Sequence, residues 1–298
     1  MMRIRYVFLW LILFIISSKV YSQTSIDSLR KAYTNQKGNE QIQTGLLLTA
    51  ALEDEPGEML RLSQEIQKKI PTKAQNTLLY AKVLKNVSDA WFFNDSLEKS
   101  NEFLLKSLDI SENIQPRDEL FLANQYNDLG MICTDLEKYS LADFYLNKAL
   151  VLFKKLDIAK DIAASLSNLG ILYVAKGDYD KALSMFLETN ELDKKSGIKR
   201  DQSSSLNNIG QMHVKLGKYD LGLEYYQRSL ELLEEKDVST KAIRYNNIGM
   251  AHQLKGQHVS ALKWFEVALK IDIEEQNGLK IGVRKHNMAN SHLALGDY

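Results

Sequence analysis

Cysteine, proline and excess charge are all scarce in this sequence. A single cysteine, Cys133, cannot form a disulfide within the chain, so stability has to come from packing. Three prolines and 15 glycines are too few for many short strands joined by turns. Lys plus Arg and Asp plus Glu both total 38, which leaves no basic excess of the kind that nucleic-acid binders carry. With 45% hydrophobic residues the 298-residue chain is not disordered throughout, and its composition favours an all-helical protein.

The longest apolar run lies at the N-terminus. Arg3 and Arg5 precede ten apolar residues, 7–16, and small or polar residues follow at 17–22. This order predicts a secretory signal peptide over residues 1–22 with cleavage before Gln23. The alternative, a membrane anchor, requires about 20 apolar residues. We therefore expect an exported protein with no membrane span after signal cleavage.

The remainder of the sequence repeats itself. Glycines preceded by Leu or Ile and by one or two asparagines or serines recur at intervals of 40, 40 and 39 residues, and Ala289 fills the slot 40 residues further on. We call these the small positions. They are Gly130, Gly170, Gly210, Gly249 and Ala289, with Ser88 fitting the same slot upstream at an offset of 42.

Other residue types keep a fixed distance from the small positions. Seven residues later stand Glu137, Gly177, Gly217, Gly256 and Gly296, and sixteen later stand Leu146, Phe186, Tyr226 and Phe265. Small residues let two helices approach, bulky residues fill the gaps, and glycine permits a tight turn between helices. Since spacings of three, four and seven share a helical face, the repeat unit is predicted to be a helix hairpin.

This pattern resembles the tetratricopeptide repeat, in which a small residue follows leucine and Gly-x-Tyr-x-x-Ala opens the second helix. The resemblance implies an all-α, right-handed α-solenoid with a period of about 40 residues, five whole hairpins and a final half. We expect degenerate repeats over 23–115 and clear repeats over 116–298. The half repeat at Tyr298 predicts a longer parent protein, unless the last helix acts as a cap.

No motif in the sequence predicts catalysis or a cofactor. His213, His252 and His292 share the slot three after the small position, which a metal site could use, but Tyr173 fills it elsewhere and core packing is the expected role. Cys133 occupies the same slot and is expected to be a small buried hydrophobe. We therefore predict no catalytic residues, no metal, no cofactor and a non-enzymatic protein.

Asparagine is the more informative residue. It recurs two and three residues before the small positions, and the resemblance implies that first helices line a concave groove. An amide offers both a donor and an acceptor to the backbone of an extended peptide. Alternatively, one asparagine per repeat ties its helix to the preceding hairpin. The predicted peptide-binding residues are Asn127, Asn168, Asn207, Asn208, Asn246, Asn247 and Asn287.

The positions one after the small position are also predicted to face the groove. They hold apolar or neutral residues, namely Met131, Ile171, Gln211, Met250 and Asn290. Lysines and arginines that would grip a terminal carboxylate are missing from them, which argues against a carboxylate clamp. The expected partner is a protein or extended peptide, not nucleic acid.

Two functional classes fit these observations. In the first, the chain resembles the exported N-terminal region of bacterial sensor histidine kinases and helix-turn-helix regulators, which places it in the periplasm or outside the cytoplasm of a Gram-negative bacterium. In the second, it is a free periplasmic scaffold for envelope protein assembly. An enzyme is the third and least favoured class.

Overall fold

The computed structural model describes residues 23–297, and it describes side chains from Ser25 onward. The signal-peptide prediction for residues 1–22 therefore lies outside the described residues. The described helices are α1 (Gln23–Asn35), α2 (Gly38–Ala50), α3 (Pro56–Lys69), a 3₁₀ turn (Thr72–Ala74), α4 (Leu78–Phe93), α5 (Leu97–Asn113), α6 (Glu119–Asp135), α7 (Tyr139–Leu156), α8 (Ala159–Ala175), α9 (Tyr179–Ser196), α10 (Lys199–Lys215), α11 (Tyr219–Glu231), α12 (Val238–Leu254), α13 (His258–Glu274) and α14 (Gly278–Leu295).

The all-α prediction is confirmed, since residues 23–297 contain helices, turns and no strand. Consecutive helices pack against each other from α1 to α7 and again from α9 to α14, as expected for an α-solenoid of hairpins. None of the described helices combines the length and apolar character that a bilayer span requires.

The contacts divide the chain into two compact units. Unit 1 runs to Asn168 and unit 2 starts at Leu169, so the division falls within α8. In unit 1 a core around Leu104, Tyr126 and Phe153 joins α5, α6 and α7. In unit 2, Phe186 and Tyr226 each centre a cluster between neighbouring hairpins.

At the small positions that hold glycine, a side chain of the second helix occupies the space that a Cβ would need. A methyl carbon built on Gly170 would lie 2.5 Å from the Phe186 ring, and one on Gly249 would lie 2.6 Å from the Phe265 ring. Both rings are almost fully buried, and in a close-packed core they cannot shift to accommodate an added methyl group. Each of the four glycines thus contacts the bulky residue sixteen later, within its own hairpin, and we call this contact the interlock.

The turn within each hairpin also has the predicted geometry. The glycines seven after the small position have positive φ, 74° at Gly217 and 78° at Gly256. Asp95 and Glu137 adopt the same left-handed conformation at φ 56° and 58°. The turn is therefore fixed by the hairpin, and glycine only lowers its cost.

Polar side chains are buried between hairpins as well as apolar ones. In unit 2, Asp193 on α9 is only 9% exposed where α9 packs on α10. Burial raises the pKa of the Asp193 carboxyl from its ordinary 3.8 to about 6, with the Asp201 carboxylate adding to the rise and a hydrogen bond with Ser205 opposing it. The folded chain therefore holds this carboxyl in its protonated form more strongly than the unfolded chain does.

The raised pKa predicts a pH-dependent stability. Below about pH 4 the carboxyl is protonated in both states and its contribution is complete; as pH rises from about 4 to about 6 the contribution is lost. Asp193→Asn should remove this dependence and stabilise the fold at pH 7 by up to about 3 kcal/mol. Thermal melts of both proteins at pH 4, 5, 6 and 7 measure the difference. A constant gap between them across this range would contradict the assignment.

Candidate binding face on the first helices

The first helices of successive hairpins form one layer in unit 2. There α12 contacts α10 on one side and α14 on the other. The interlock fixes how each first helix is rotated, because the small position must face its own second helix. Residues at fixed offsets from the small position therefore recur at equivalent places on α10, α12 and α14.

Asparagine amides link these helices directly. Asn247 Nδ2 on α12 donates to Asn207 Oδ1 on α10 at 2.8 Å. Asn287 Nδ2 on α14 donates to Asn246 Oδ1 on α12 at 2.9 Å. In each pair the residue two before one small position bonds to the residue three before the previous one. The repeating bond holds neighbouring first helices in register.

Unit 1 uses the same two positions. Asn168 Nδ2 on α8 donates to Asn127 Oδ1 on α6 at 2.9 Å. One hairpin earlier the pair is ionic: Lys85 Nζ on α4 lies 3.1 Å from Asp128 Oδ2 on α6. Burial disfavours the charge on Lys85, but Asp89 and Asp128 outweigh it and raise the lysine pKa. We call all these bonds the rungs.

The seven predicted asparagines are therefore largely engaged with one another. Six of the amides lie in the three cross-helix rungs. The seventh, Asn208, lies beside a rung, since Asn207 Nδ2 also donates to Asn208 Oδ1 at 3.4 Å. Asn207, Asn208, Asn246 and Asn168 are buried, and Asn127, Asn247 and Asn287 are half-buried. The geometry is that of the structural alternative. A rung uses only part of an amide's bonding capacity, so peptide binding by these residues stays a prediction.

An apolar stripe lies beside the rungs on α12. Ile243, Met250 and Leu254 stand six before, one after and five after the small position, spacings that share one helical face. Met250 is 40% exposed and Leu254 is 55% exposed. Asn246 Nδ2 lies 3.4 Å from Met250 Sδ, which brings the amide rung into contact with the stripe.

The equivalent positions on the neighbouring helices are mainly polar and carry no carboxylate. On α10 they are Ser204, Gln211 and Lys215, and on α14 they are Val283, Asn290 and Ala294. The face that these nine residues form in unit 2 thus has an apolar centre, neutral surroundings and one lysine. We call it the first-helix face.

Two of the remaining candidates, His213 and Cys133, are buried as their expected packing role requires. His213 is buried and stacks on Tyr225 with centroids 5.2 Å apart, and burial lowers its pKa. Cys133 is buried, which raises its thiol pKa. His252 and His292 are half-buried, and His252 Nδ1 lies 2.7 Å from Gln257 Oε1. Within residues 23–297 no three His, Cys, Asp or Glu side chains are grouped as metal ligands.

Sequence reasoning missed part of the face and one rung. Leu254 and Ile243 carried a usable signal, since they lie four and seven residues from Met250. The Lys85–Asp128 rung could have been found because Lys85 and Asp128 stand three and two before small positions, where asparagines stand elsewhere. The rungs themselves join residues about 40 apart, which no local pattern specifies.

The rungs predict a stability role for the asparagine amides. Asn247→Ala should leave the buried Asn207 carbonyl without its partner and lower stability by about 1–3 kcal/mol. Asn290→Ala, the same change at an exposed site on the next first helix, should stay within about 0.5 kcal/mol. Urea melts followed by circular dichroism compare them. Equal stability of the two variants would show that the rung contributes nothing.

Comparison with known proteins agrees with the hairpin architecture. The tetratricopeptide repeat family model matches residues 121–195 and 201–274, together half of the chain. No curated protein sequence matches this chain.

Solved structures show the same fold at low sequence identity. The apo form of RapI superposes with a TM-score of 0.69 at 15% identity, covering 92% of this chain and 80% of that one. The apo quorum sensor NprR from B. thuringiensis gives 0.67 at 18% identity, covering 88% and 74%. A tetratricopeptide repeat protein from Parabacteroides merdae ATCC 43184 gives 0.62 at 15% identity, covering 90% and 91%. At these identities the similarity shows the fold alone.

Proposed function

The chain belongs to the tetratricopeptide repeat family, and we propose that it is a non-enzymatic scaffold that binds a protein or extended peptide on the first-helix face of unit 2. The observation that carries this proposal is the exposure of Met250 and Leu254. When a partner covers these two large apolar side chains, the complex is stabilised by about 25 cal/mol per Å² of apolar surface removed from water.

The neighbouring groups supply what a peptide needs besides apolar contact. Gln211 and Asn290 stand one after their small positions, as Met250 does, and their amides can donate to and accept from a peptide backbone. The rungs keep α10, α12 and α14 in fixed register, so the surface is formed before the partner arrives. Preorganisation of this kind lowers the entropic cost of binding.

The chemistry of the face favours a particular class of peptide. Its nine positions include Lys215 as the only charged residue. An apolar partner that is neutral or acidic therefore meets no carboxylate there, whereas a basic partner meets a like charge. This charge distribution supports binding of an apolar segment and does not resemble a carboxylate clamp, which requires several cations.

The setting we propose is the exported sensory region of a bacterial signal-transduction protein, in the periplasm of a Gram-negative cell. The signal-peptide pattern over residues 1–22 supports export. The structural neighbour NprR is a quorum sensor, which is compatible with a sensory role for the same fold. A free periplasmic scaffold for envelope protein assembly is the second candidate, favoured by the same export signal.

The binding face is tested with an immobilised library of random peptides. Met250→Ser combined with Leu254→Ser should abolish capture of the peptides that the parent chain selects, because the apolar centre is gone. Val259→Ser is the matched control, since Val259 is 58% exposed but lies on the second helix α13. It should bind as the parent does.

Two results would contradict the face. One is selection of no peptide above background by the parent chain. The other is retention of the selected peptides by the double variant at parental affinity. Circular dichroism of each variant separates lost binding from lost folding.

Export is tested separately, by expression in a Gram-negative host and fractionation. The periplasmic fraction should contain a protein whose N-terminal sequence starts at Gln23. Leu11→Asp combined with Leu13→Asp interrupts the apolar run and should keep the chain full-length and in the cell interior. A parent chain that stays unprocessed would remove the exported setting but leave the binding face untouched.

A further inference from the structure

At two positions on its outer surface, α7 differs from the other second helices from α5 to α13. Two residues before the interlocking bulky residue, α7 carries Phe144, and five after it α7 carries Val151. The other helices carry exposed polar or charged residues at both positions. These are Glu102, Ser184, Glu224 and Lys263 at the first, and Asp109, Glu191, Glu231 and Lys270 at the second.

The repeats thus provide an internal comparison for what the solvent-facing side of a second helix requires. Eight residues at these two positions are polar or charged, so the fold needs no apolar group there. Phe144 is nevertheless 51% exposed and Val151 is 66% exposed. Their positions are seven apart and share one helical face, and we call the pair the apolar patch.

A pocket of about 660 Å³ opens on this patch within unit 1. Leu122 and Tyr126 of α6 form one wall, and Phe144, Val151 and Leu152 of α7 form the other. The pocket is large enough for an aromatic or branched aliphatic side chain. We call the pocket and the patch together the α7 pocket.

Lys148 holds the aromatic wall in place. Its Nζ lies 4.7 Å from the centroids of both the Tyr126 and the Phe144 rings, and 3.2 Å from Tyr126 Oη. The ammonium group therefore sits between the two rings by cation–π attraction. Glu112 lies 3.6 Å from the same nitrogen and compensates part of its charge.

The residues that line the α7 pocket include one more cation than carboxylates. Arg117 and Lys148 are lining cations and Asp143 is the lining carboxylate. Arg117 is exposed and donates Nη2 to the carbonyl oxygen of Glu112 at 2.9 Å, a neutral acceptor that does not cancel the guanidinium charge. A carboxylate next to an apolar side chain in the pocket could therefore pair with Arg117.

We propose that the α7 pocket is a second docking surface, which binds a partner protein segment that presents a phenylalanine or leucine side chain flanked by acidic residues. The apolar side chain fills the pocket against Phe144 and Val151, and a flanking carboxylate pairs with Arg117. This surface lies on a second helix of unit 1, whereas the first-helix face belongs to unit 2. The two sites therefore have separate residues and separate tests.

The probe for this site is a short fluorescein-labelled peptide in which phenylalanine and leucine alternate with glutamate. Fluorescence anisotropy should detect its binding to the complete chain. Phe144→Ser and Val151→Glu give α7 the residues that α9 carries at these positions, Ser184 and Glu191. Each variant should fold as the parent does and bind the peptide at least about tenfold more weakly.

Charge specificity is measured with two further peptides. Replacing every glutamate by lysine, or every phenylalanine and leucine by serine, should remove binding to the parent chain. Arg117→Gln should reduce the preference for the glutamate peptide over the lysine peptide. Since the first-helix face also suits an apolar acidic segment, the glutamate peptide is titrated into Met250→Ser combined with Leu254→Ser as well, and the binding that remains in this double variant should be lost when Phe144→Ser is added.

Three results would overturn the proposal. The first is that the parent chain binds the glutamate and lysine peptides with equal affinity, or binds neither of them. The second is unchanged peptide binding in Phe144→Ser and Val151→Glu. The third is a parent chain that is dimeric in analytical ultracentrifugation and becomes monomeric in these variants, which would make a second copy of the chain the occupant.

Discussion

The rest of the structure depends on the contact between a glycine and the bulky side chain sixteen residues later. Within a hairpin this contact brings two helices so close that no Cβ fits between the first helix and the ring or leucine of the second. Leu146, Phe186, Tyr226 and Phe265 are each at most 2% exposed, so the contact is made in a fully packed core. It fixes the rotation of each first helix about its own axis, and every other feature follows from that rotation.

Once the rotation is set, the other positions acquire fixed roles. Residues two and three before the small position face the next first helix and form the rungs. Residues one and five after it turn outward, where Met250 and Leu254 become exposed on α12. On the second helices, the positions two before and five after the bulky residue face solvent. At these positions α7 carries Phe144 and Val151, whereas the other helices compared carry polar or charged residues. The two proposed binding surfaces are therefore departures from a polar default at positions that the packing leaves exposed.

The sequence predicted those features that depend on one hairpin. Helix type, the close helix approach at the small positions and the turn position rest on residues within about 20 of each other, and periodicity reveals them. Features that depend on two hairpins were harder to predict. Whether Asn247 binds a peptide or ties its helix to the preceding hairpin was left open by the sequence, because its partner Asn207 lies 40 residues away and their contact depends on how two hairpins stack. The exposure of Phe144 was missed for a related reason, since only the structure shows which side of α7 its neighbours leave open.

A double-mutant cycle between Gly249 and Phe265 tests the interlock most directly. Gly249→Leu and Phe265→Ala should each be strongly destabilising, the first by overpacking and the second by leaving a cavity. Together they should be less destabilising than the sum, because the leucine occupies space that the ring has left, with a coupling of at least about 1 kcal/mol. Gly282→Leu, at a helical glycine with nothing within 4 Å of an added Cβ, should show no coupling with Phe265→Ala. Additive costs for Gly249→Leu and Phe265→Ala would show that the two positions do not share one space, and the account of the hairpin would be wrong.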